Sequence, residues 1–442
     1  MSLIYILLIL LAFLSYSKRH FSLFIKLFVT LVSGGFAIFP ETILKVTDCL
    51  LILLVLISIF EFSRGRHFFS CKNDKIALFT LLLLFYFFLI GVYTVLSGKE
   101  SFLYAFKVWR MDLFYLYYFV FRNVPAKSLK ASFKFLFIMT TIAGIFYILQ
   151  FIGVYGILQK SDLMADSNRY VDGISRYTNT PILTIPILLY LFYEKIRNNR
   201  TLWIIFYLVL FIMPMIRGAI IAFAISNIVY LVAAHKLKKM RSVIVYFLLA
   251  FILFYPVLEY RFQGDNNRVS TMEDIRLVQN IDYNNIDLNS GGSFYYRIAV
   301  LLERWHYLID ESQLFFGVGS IHEESPHNIF ILNVGKSIYL NRNAMIDTND
   351  IAFATRLFRY GLIYFILFAM LIYFYVRHLF KYRNVMTGAI GFMTLLIIVI
   401  QSLGSDGFSM YSVMLIPIVL SGLCISDKSE NYGTCRNSNI EL

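Results

Sequence analysis

The chain has 442 residues, of which 59% are hydrophobic, 18% aromatic and only 15% charged, and its formal net charge is +13. Soluble proteins carry roughly a quarter charged residues and under half apolar ones, and even a large soluble protein needs a polar shell. The composition therefore excludes an ordinary soluble enzyme, a disordered chain and a small disulfide scaffold. It indicates an integral membrane protein.

The N-terminal apolar run, residues 1–17, has no basic region before it and no small-residue cleavage site, so we predict a retained first span and not a signal peptide. A helix needs about 20 apolar residues to cross a bilayer. The hydropathy of the chain predicts an all-α polytopic membrane protein with twelve to fourteen spans. The candidates are 2–17, 20–39, 42–62, 76–97, 102–122, 133–158, 179–193, 201–215, 218–234, 242–258, 351–376, 385–403 and 410–425.

The connections between these spans alternate in charge. One set holds 22 of the 40 basic residues against five acidic ones, and the positive-inside rule places it in the cytoplasm. The other set includes the 92-residue stretch 259–350, with 13 acidic and 7 basic residues, and the shorter loop 159–178; both are predicted to lie outside. The net positive charge thus comes mainly from connections predicted to lie in the cytoplasm. It does not indicate a nucleic-acid partner. We divide the chain into an N-terminal membrane bundle (1–258), the large external loop (259–350), and C-terminal membrane helices with a cytoplasmic tail (351–442).

The large external loop is the predicted site of chemistry, because loops beyond about 15 residues are usually functional. Its residues 293–310 carry apolar side chains at helical spacing, which predicts a short interfacial helix on the membrane surface. Arg297 and Arg304 lie seven residues apart at the edge of that stripe. Both fit either anchoring to lipid headgroups or binding of an anionic ligand.

A histidine follows later in the same loop. His327-Asn328 comes after Pro326 and before an apolar run, which predicts an ordered turn leading into a helix. A histidine can exchange a proton near neutral pH. A structural or solvent-exposed histidine is the alternative interpretation. The four cysteines form no pair or cluster with metal-ligand spacing, and no external DxD occurs, so we predict no metal and no cofactor.

Arg217 lies between two apolar runs, close to Pro214 and Gly218, which can break a helix and expose backbone N–H groups. An arginine beside such a break at the external face suits a phosphate or diphosphate, which a guanidinium binds through paired hydrogen bonds. An arginine that snorkels to the interface is the alternative.

Further arginines occur in external segments. Arg169 and Arg176 lie in the shorter loop, and Arg359 opens the span after the large loop, with Asp347 and Asp350 just before it. Arginines in three separate external segments indicate an anionic ligand at the outer face of the membrane, for which a lipid-linked diphosphate is the natural candidate. Inside the predicted spans, ionisable side chains are expected to pair with one another within the bundle; these are Lys45, Asp48, Lys107, Arg110 and Asp112.

Six short motifs, taken in their order along the chain, resemble those of the O-antigen polymerase and ligase superfamily. They lie within roughly residues 160–375. The first is similar to the family's Ser-Arg-Gly element, with Ile216 where Ser is usual. The next four are similar to its large periplasmic loop, and the last to the glycine-containing start of the following helix. They are IRGAIIAF (216–223), YR (296–297), Trp305, FGVG (316–319), His327-Asn328 and RYGLIYF (359–365).

The resemblance implies a GT-C-like enzyme of the bacterial inner membrane with its active site facing the periplasm. Such enzymes are metal-independent, inverting glycosyltransferases that take a glycan from undecaprenyl diphosphate. Arg217 and Arg297 would hold the diphosphate leaving group, and Arg169 or Arg176 would match an arginine of the earlier loop. The remaining predicted substrate-binding residues are Arg304, Asn328 and Arg359.

The family pattern places His327 at the acceptor hydroxyl, as base or orienting group. In this chain twenty-odd residues separate His327 from the next span, more than in many members of the family. Asp347 and Asp350 occupy the position just before that span. His327, Asp347 and Asp350 are therefore alternative proton acceptors.

We expect a polymerase that joins undecaprenyl-diphosphate-linked repeat units into O-antigen or a related surface polysaccharide. A ligase that transfers the glycan to the lipid A core is the alternative within the same class, and a flippase or other transporter of lipid-linked glycan is the alternative from another class. A transporter is expected to have internal repeats and midplane sites, whereas polar features here concentrate in one loop. The expected partners are the lipid-linked oligosaccharide, the membrane, and a chain-length regulator and flippase of the same pathway.

Overall fold

The computed structural model describes most of the chain. The described residues are 2–39, 45–65, 67–151, 158, 177, 179–193, 199–214, 216–236, 243–245, 248, 252, 255, 276–279, 293–328, 330, 332, 334, 346, 351–404, 407–408 and 410–437. Within them the main regular elements are helices. These are α1 (Ser2–Ser17), α2 (Phe21–Val32), α3 (Val46–Ser63), α4 (Lys75–Leu96), α5 (Phe102–Trp109), a 3-10 helix (Arg110–Leu116), α6 (Tyr117–Arg122), α7 (Ala126–Phe151), α8 (Thr184–Tyr193), α9 (Arg200–Ile212), α10 (Arg217–Ala233), α11 (Ser293–Asp310), α12 (Ala352–Lys381), α13 (Met386–Gln401) and α14 (Tyr411–Asn437).

Four of these helices, α3, α4, α7 and α12, are long and apolar enough to cross a membrane. Shorter apolar helices, including α1, α10, α13 and the first part of α14, coincide with other predicted spans. The all-α prediction is thus confirmed for the described residues. Among the described helices, these four meet both the length and the hydropathy of a span, whereas twelve to fourteen spans were predicted for the whole chain.

The outward surfaces of the helices are themselves apolar. Phe62 and Leu96 are each 82% exposed, and large apolar side chains are also exposed along α1 and α10. Contiguous apolar surface of this extent is rare on a protein surrounded by water. The surface, like the composition, is that of a protein solvated by lipid.

Aromatic residues build much of the bundle core. Phe28 packs against Tyr117 and Phe121, with ring centroids 4.9 Å away in both cases. Tyr117, Phe119 and Phe121 are completely buried. Because paired rings contribute energy beyond their buried area, the high aromatic content has a packing role between α2 and α6.

The predicted span 102–122 is not one continuous helix. It is divided into α5, the 3-10 helix and α6, and the 3-10 helix carries Arg110 and Asp112. Arg110 Nη1 lies 2.6 Å from Asp48 Oδ1, and Arg356 Nη1 lies 3.3 Å from Asp112 Oδ1. The predicted pairing of charges between spans is therefore confirmed for Arg110 and Asp48. Both charged side chains of the irregular segment are used to join neighbouring helices.

One end of the bundle, here called the basic end, is formed by the connections after α3, α6, α10 and α12. Arg122, at the end of α6, donates to the Phe68 carbonyl (2.9 Å) and to Asp74 (3.2 Å) in the connection before α4. Arg383 Nε donates to the Ala233 carbonyl at the end of α10 (2.9 Å). Connections predicted to share the cytoplasmic side thus meet in the structure.

The opposite end, here called the loop end, joins the end of α4, the start of α12, the end of α13 and the described part of the large loop. Helix α11 of that loop packs against α12, and α12 in turn packs against α4 and α13. This arrangement gathers segments far apart in sequence on the side predicted to be external. The candidate site lies there.

Candidate functional site

Residues 313–321, here called the docked turn, bind to a break in α12. The break is at Gly361, whose φ of 69° and ψ of −166° are not helical. On one side of it the Val318 N–H donates to the Phe358 carbonyl at 2.9 Å, and on the other the Leu362 N–H donates to the Leu314 carbonyl at 2.9 Å. The backbone groups that the break would leave unpaired are thus satisfied by the turn.

Glycine is required on both sides of this contact. Gly317 and Gly361 have φ values of +70° and +69°, which residues that carry a Cβ rarely adopt. A Cβ at Gly317 would lie 2.4 Å from the backbone of Arg359, and one at Gly361 would lie 2.4 Å from the Phe315 carbonyl oxygen. The FGVG and RYG motifs, separate in sequence, therefore form one interlocked unit.

The docked turn also contacts the end of α4. The Ser320 N–H donates to Thr94 Oγ1 at 3.0 Å, and a Cβ at Gly319 would lie 2.5 Å from that same oxygen. Next along the chain, the His322 N–H donates to the buried carboxylate of Glu100 at 3.2 Å. The end of α4 thus holds the loop from a second side.

Two of the predicted binding arginines are buried in the loop structure. Arg359 is 7% exposed and donates from Nε to the Ile321 carbonyl at 3.0 Å. Arg304 is fully buried and donates from Nη1 to the Val300 carbonyl at 3.1 Å. The interpretation of Arg304 as a headgroup anchor is therefore wrong, because no part of its side chain reaches the surface. Both arginines stabilise the fold of the loop.

The apolar stripe of α11 faces protein more than the membrane surface. Leu308 is buried in a small core with Val318 and Phe358, and Trp305 packs against that core. Of the predicted stripe, Phe294 and Ile309 are among the exposed residues. The helix is therefore a packed part of the loop, and not a helix lying by its whole apolar face on the bilayer.

Arg297 and Arg356 both reach the connection between α13 and α14, whose described residues are 402–404, 407, 408 and 410. The guanidinium of Arg297 lies against Gly404, such that a Cβ built on Gly404 would be 3.4 Å from Nη1. Arg356 Nη2 donates to the Phe408 carbonyl at 3.3 Å, and Nη1 donates to the Tyr364 hydroxyl at 2.7 Å. The two arginines thus bring the large loop, α12 and this connection together.

The turn predicted at His327-Asn328 is present, but residues 330, 332 and 334, the described positions after it, are not helical, so the predicted helix does not follow there. The His327 N–H donates to Ser325 Oγ at 3.0 Å, and Asn328 Nδ2 donates to the Glu323 carbonyl at 3.0 Å. The His327 side chain is exposed. It is thus available to a ligand from solvent, while Asn328 holds the turn.

The other predicted site residues cannot be placed from the described part of the chain. Helix α9 ends at Ile212 and α10 begins at Arg217, so the predicted helix break beside Arg217 is confirmed. The Arg217 side chain lies outside the described residues, as do Arg169, Arg176, Asp347 and Asp350.

Sequence reasoning did not identify three polar or small positions that the structure places at the site: Thr94, Glu100 and Gly404. Each is a single residue at the end of a predicted span, and nothing in its local sequence marks it. Arg356, in the first turns of α12, joins Asp112, Tyr364 and Phe408.

Two of the predicted site residues keep accessible side chains in the described part of the loop: Arg297 is half-buried and His327 is exposed. In the part of the chain that the structure describes, no three His, Cys, Asp or Glu side chains gather as metal ligands would. No protein-family model matches this chain, and no curated protein matches it.

Proposed function

We propose that this protein is a polymerase of lipid-linked glycans. It joins undecaprenyl-diphosphate-linked oligosaccharide repeat units into O-antigen or a related surface polysaccharide at the periplasmic face of the bacterial inner membrane. The proposal rests on the resemblance of the motifs, on the apolar all-helical fold, and on the position of the polar groups at one end of the bundle.

The observation that supports it most is the contact between the docked turn and the break at Gly361. Two motifs that resemble the same enzyme family, FGVG and RYGLIYF, interlock through the Val318–Phe358 and Leu362–Leu314 backbone hydrogen bonds. If the two motifs matched the family only by chance, they would not be expected to contact each other in the structure. Their contact favours a loop whose shape is held for a ligand.

The proposed reaction needs positive charge and a proton acceptor. An acceptor hydroxyl oxygen attacks the anomeric carbon of the donor sugar, and the bond from that carbon to the diphosphate oxygen breaks with inversion. Arg297 and Arg217 stabilise the charge on the departing lipid diphosphate, as fixed cations do in preorganised sites. His327, Asp347 or Asp350 takes the hydroxyl proton.

Purified protein incubated with its lipid-linked repeat unit should yield a ladder of polymer on the lipid carrier. We expect Arg297→Ala to lower the rate of bond formation by roughly 10²–10³-fold, because it removes charge stabilisation of the leaving group. Arg64→Ala is the matched control, since Arg64 is exposed at the basic end over the Phe60 ring. Full activity of Arg297→Ala would contradict the assignment.

Deletion of the gene separates the proposed function from its alternatives. Loss of a polymerase should leave lipid A core that carries single repeat units. Loss of a ligase should leave bare core, with polymer still on its carrier lipid. A purified protein that moves lipid-linked glycan across vesicles and forms no glycosidic bond would be a transporter.

A further inference from the structure

We propose that Lys107 of α5, together with His322 of the large loop, binds the phosphate group of a lipid at the loop end of the bundle. The two side chains lie around the ring of Tyr104, in a place that none of the motifs includes and that the proposed reaction does not use. The inference goes beyond the proposed function and does not depend on it, because it rests on an ammonium group for which the fold supplies no anion.

Lys107 lies in the broken segment 102–116, which carries three charged side chains. The other two, Arg110 and Asp112, are both in ion pairs. Lys107 is half-buried, and among the residues that the structure describes its ammonium has neither a hydrogen bond nor an ion pair. Its Nζ lies over the Tyr104 ring, 4.7 Å from the centroid. The pairing expected for charged residues of the predicted spans is therefore absent at this lysine.

The outer side of α5 is apolar and exposed, as expected of a surface in contact with lipid. Phe102 and Leu103, in the first turn, are 69% and 63% exposed, and Leu96 shortly before it is 82% exposed. A charge in such surroundings is costly and indicates a partner of opposite charge. Because helix side chains lean toward the N-terminus of their helix, Lys107 extends over Tyr104 toward the loop end, where the predicted topology places lipid headgroups.

His322 contacts the same aromatic ring and adds a second donor. The centroid of its imidazole is 5.4 Å from that of Tyr104. The Glu324 N–H donates to His322 Nδ1 at 3.2 Å, so Nδ1 is the acceptor of the imidazole and the ring proton is on Nε2. Nε2 can therefore donate a hydrogen bond to a phosphate oxygen.

The acidic side chain of this cluster, Glu100, does not neutralise the lysine. It is buried and accepts hydrogen bonds from the N–H groups of Ser101 at 2.8 Å and His322 at 3.2 Å, and it forms no ion pair with Lys107. An ammonium binds phosphate as a point charge, through short charge-assisted hydrogen bonds. The acyl chain of a lipid can lie along the exposed apolar side of α5, which favours a lipid phosphate over a free phosphate ion.

The experiment measures lipid binding to the full-length protein in detergent by native mass spectrometry. Phosphatidylglycerol and undecaprenyl phosphate are the probes, and dioleoylglycerol, which has no phosphate, should not bind at this site. We expect Lys107→Met to raise the Kd of the phosphate lipid by roughly 10–100-fold, because a charge-assisted hydrogen bond is lost. His322→Ala should raise it by roughly 3–10-fold, the effect of a neutral donor. Lys107→Arg keeps the charge and should restore most of the binding.

Lys99→Met is the matched control, because Lys99 is also a half-buried lysine at the loop end, with Nζ 5.5 Å from the centroid of the Tyr93 ring. It should change the Kd by less than roughly 5-fold, the effect of one lysine near a lipid surface. A merely structural Lys107 would show itself differently. Lys107→Met would then lower the midpoint of thermal unfolding without added lipid, whereas removal of an unneutralised charge should leave that midpoint unchanged or raise it.

The two probes distinguish the sources of the phosphate. A loss of phosphatidylglycerol binding in Lys107→Met would assign the site to membrane phospholipid, and a loss confined to undecaprenyl phosphate would assign it to a polyprenyl carrier lipid. Wild-type Kd values for both lipids in folded Lys107→Met would overturn the inference, as would equal losses in Lys99→Met and Lys107→Met. None of these results depends on polymer formation, so the proposed function and this inference can fail separately.

Discussion

The two ends of the bundle are held together by different means. At the basic end, side chains join the connections: Arg122 reaches the Phe68 and Ser70 carbonyls and the Asp74 carboxylate. At the loop end, arginines also contribute, as Arg359 does by donating to the Ile321 carbonyl, but the docked turn and α12 meet mainly backbone to backbone, at positions where a Cβ would not fit.

This difference explains why the basic end can be recognised from the sequence more easily than the loop end. Contacts that depend on charge enrich arginine and lysine, and a count of basic residues finds them. Contacts that depend on a missing Cβ leave only scattered glycines, whose partners cannot be recognised from the sequence. The basic end should accordingly be sensitive to loss of charge, and the loop end to added volume.

The largest effect is expected from Gly361→Ala. The new Cβ would add about 1–3 kcal/mol of backbone strain, because a φ of 69° with a ψ of −166° is a conformation that essentially only glycine adopts, and it would collide with the Phe315 carbonyl oxygen. We expect a total loss of about 3 kcal/mol or more in the free energy of unfolding, measured by thermal unfolding in detergent. Gly65→Ala is the control, because Gly65 has a φ of +66° and no atom within 4 Å of the added Cβ. Equal losses in both variants would mean that the interlock contributes nothing.

A smaller loss is expected from Arg122→Ala at the basic end. This change leaves the Asp74 carboxylate without its cation and removes the donor to the Phe68 carbonyl. Because the two side chains are only 16% and 15% exposed, we expect a loss of about 2–3 kcal/mol. Arg64→Ala, at an exposed arginine of the same end, should cost under about 1 kcal/mol. A midpoint of thermal unfolding that does not distinguish the two variants would contradict this view of the basic end.

The smallest effects should come from the two ion pairs of the 3-10 helix, which form a natural comparison. Asp112→Asn disrupts a pair with 8% and 12% exposed side chains; because Arg356 keeps its bonds to the Tyr364 hydroxyl and the Phe408 carbonyl, we expect a loss of only about 1–2 kcal/mol. Asp48→Asn disrupts a pair with 33% and 21% exposed side chains, and solvent screening should limit the loss to under about 1 kcal/mol. Raising the salt concentration should reduce only the second effect. The opposite order would show that burial does not govern these pairs.

Much of the bundle could be predicted from hydropathy and charge alone. Apolar runs located most of the described helices, about half of them to within a few residues at both ends, and alternating charge identified connections that meet, such as those of Arg122 and Arg383. The pairing of Arg110 with Asp48 followed from the cost of an unpaired charge at membrane depth. These features depend on the hydropathy and charge of short segments, which can be read from the sequence without knowing which segments are in contact.

The site was harder to predict because it depends on contacts between distant segments. The stripe of α11 indicated an amphipathic helix but did not indicate that it packs against the docked turn and α12. Arg304 could not be recognised as buried for the same reason. Gly404 became visible only when the structure brought it to Arg297.

The break at Gly361 also bears on how deep in the bilayer the chemistry takes place. The regular part of α12 after the break, about 20 residues long, would extend roughly 30 Å, which matches the hydrocarbon thickness by itself. We therefore expect Gly361 to lie at the boundary between acyl chains and headgroups, level with the diphosphate of a lipid in the outer leaflet. Under the proposed function, a polyprenyl donor would react while its tail remains among the lipids, and its extraction from the membrane would not be needed.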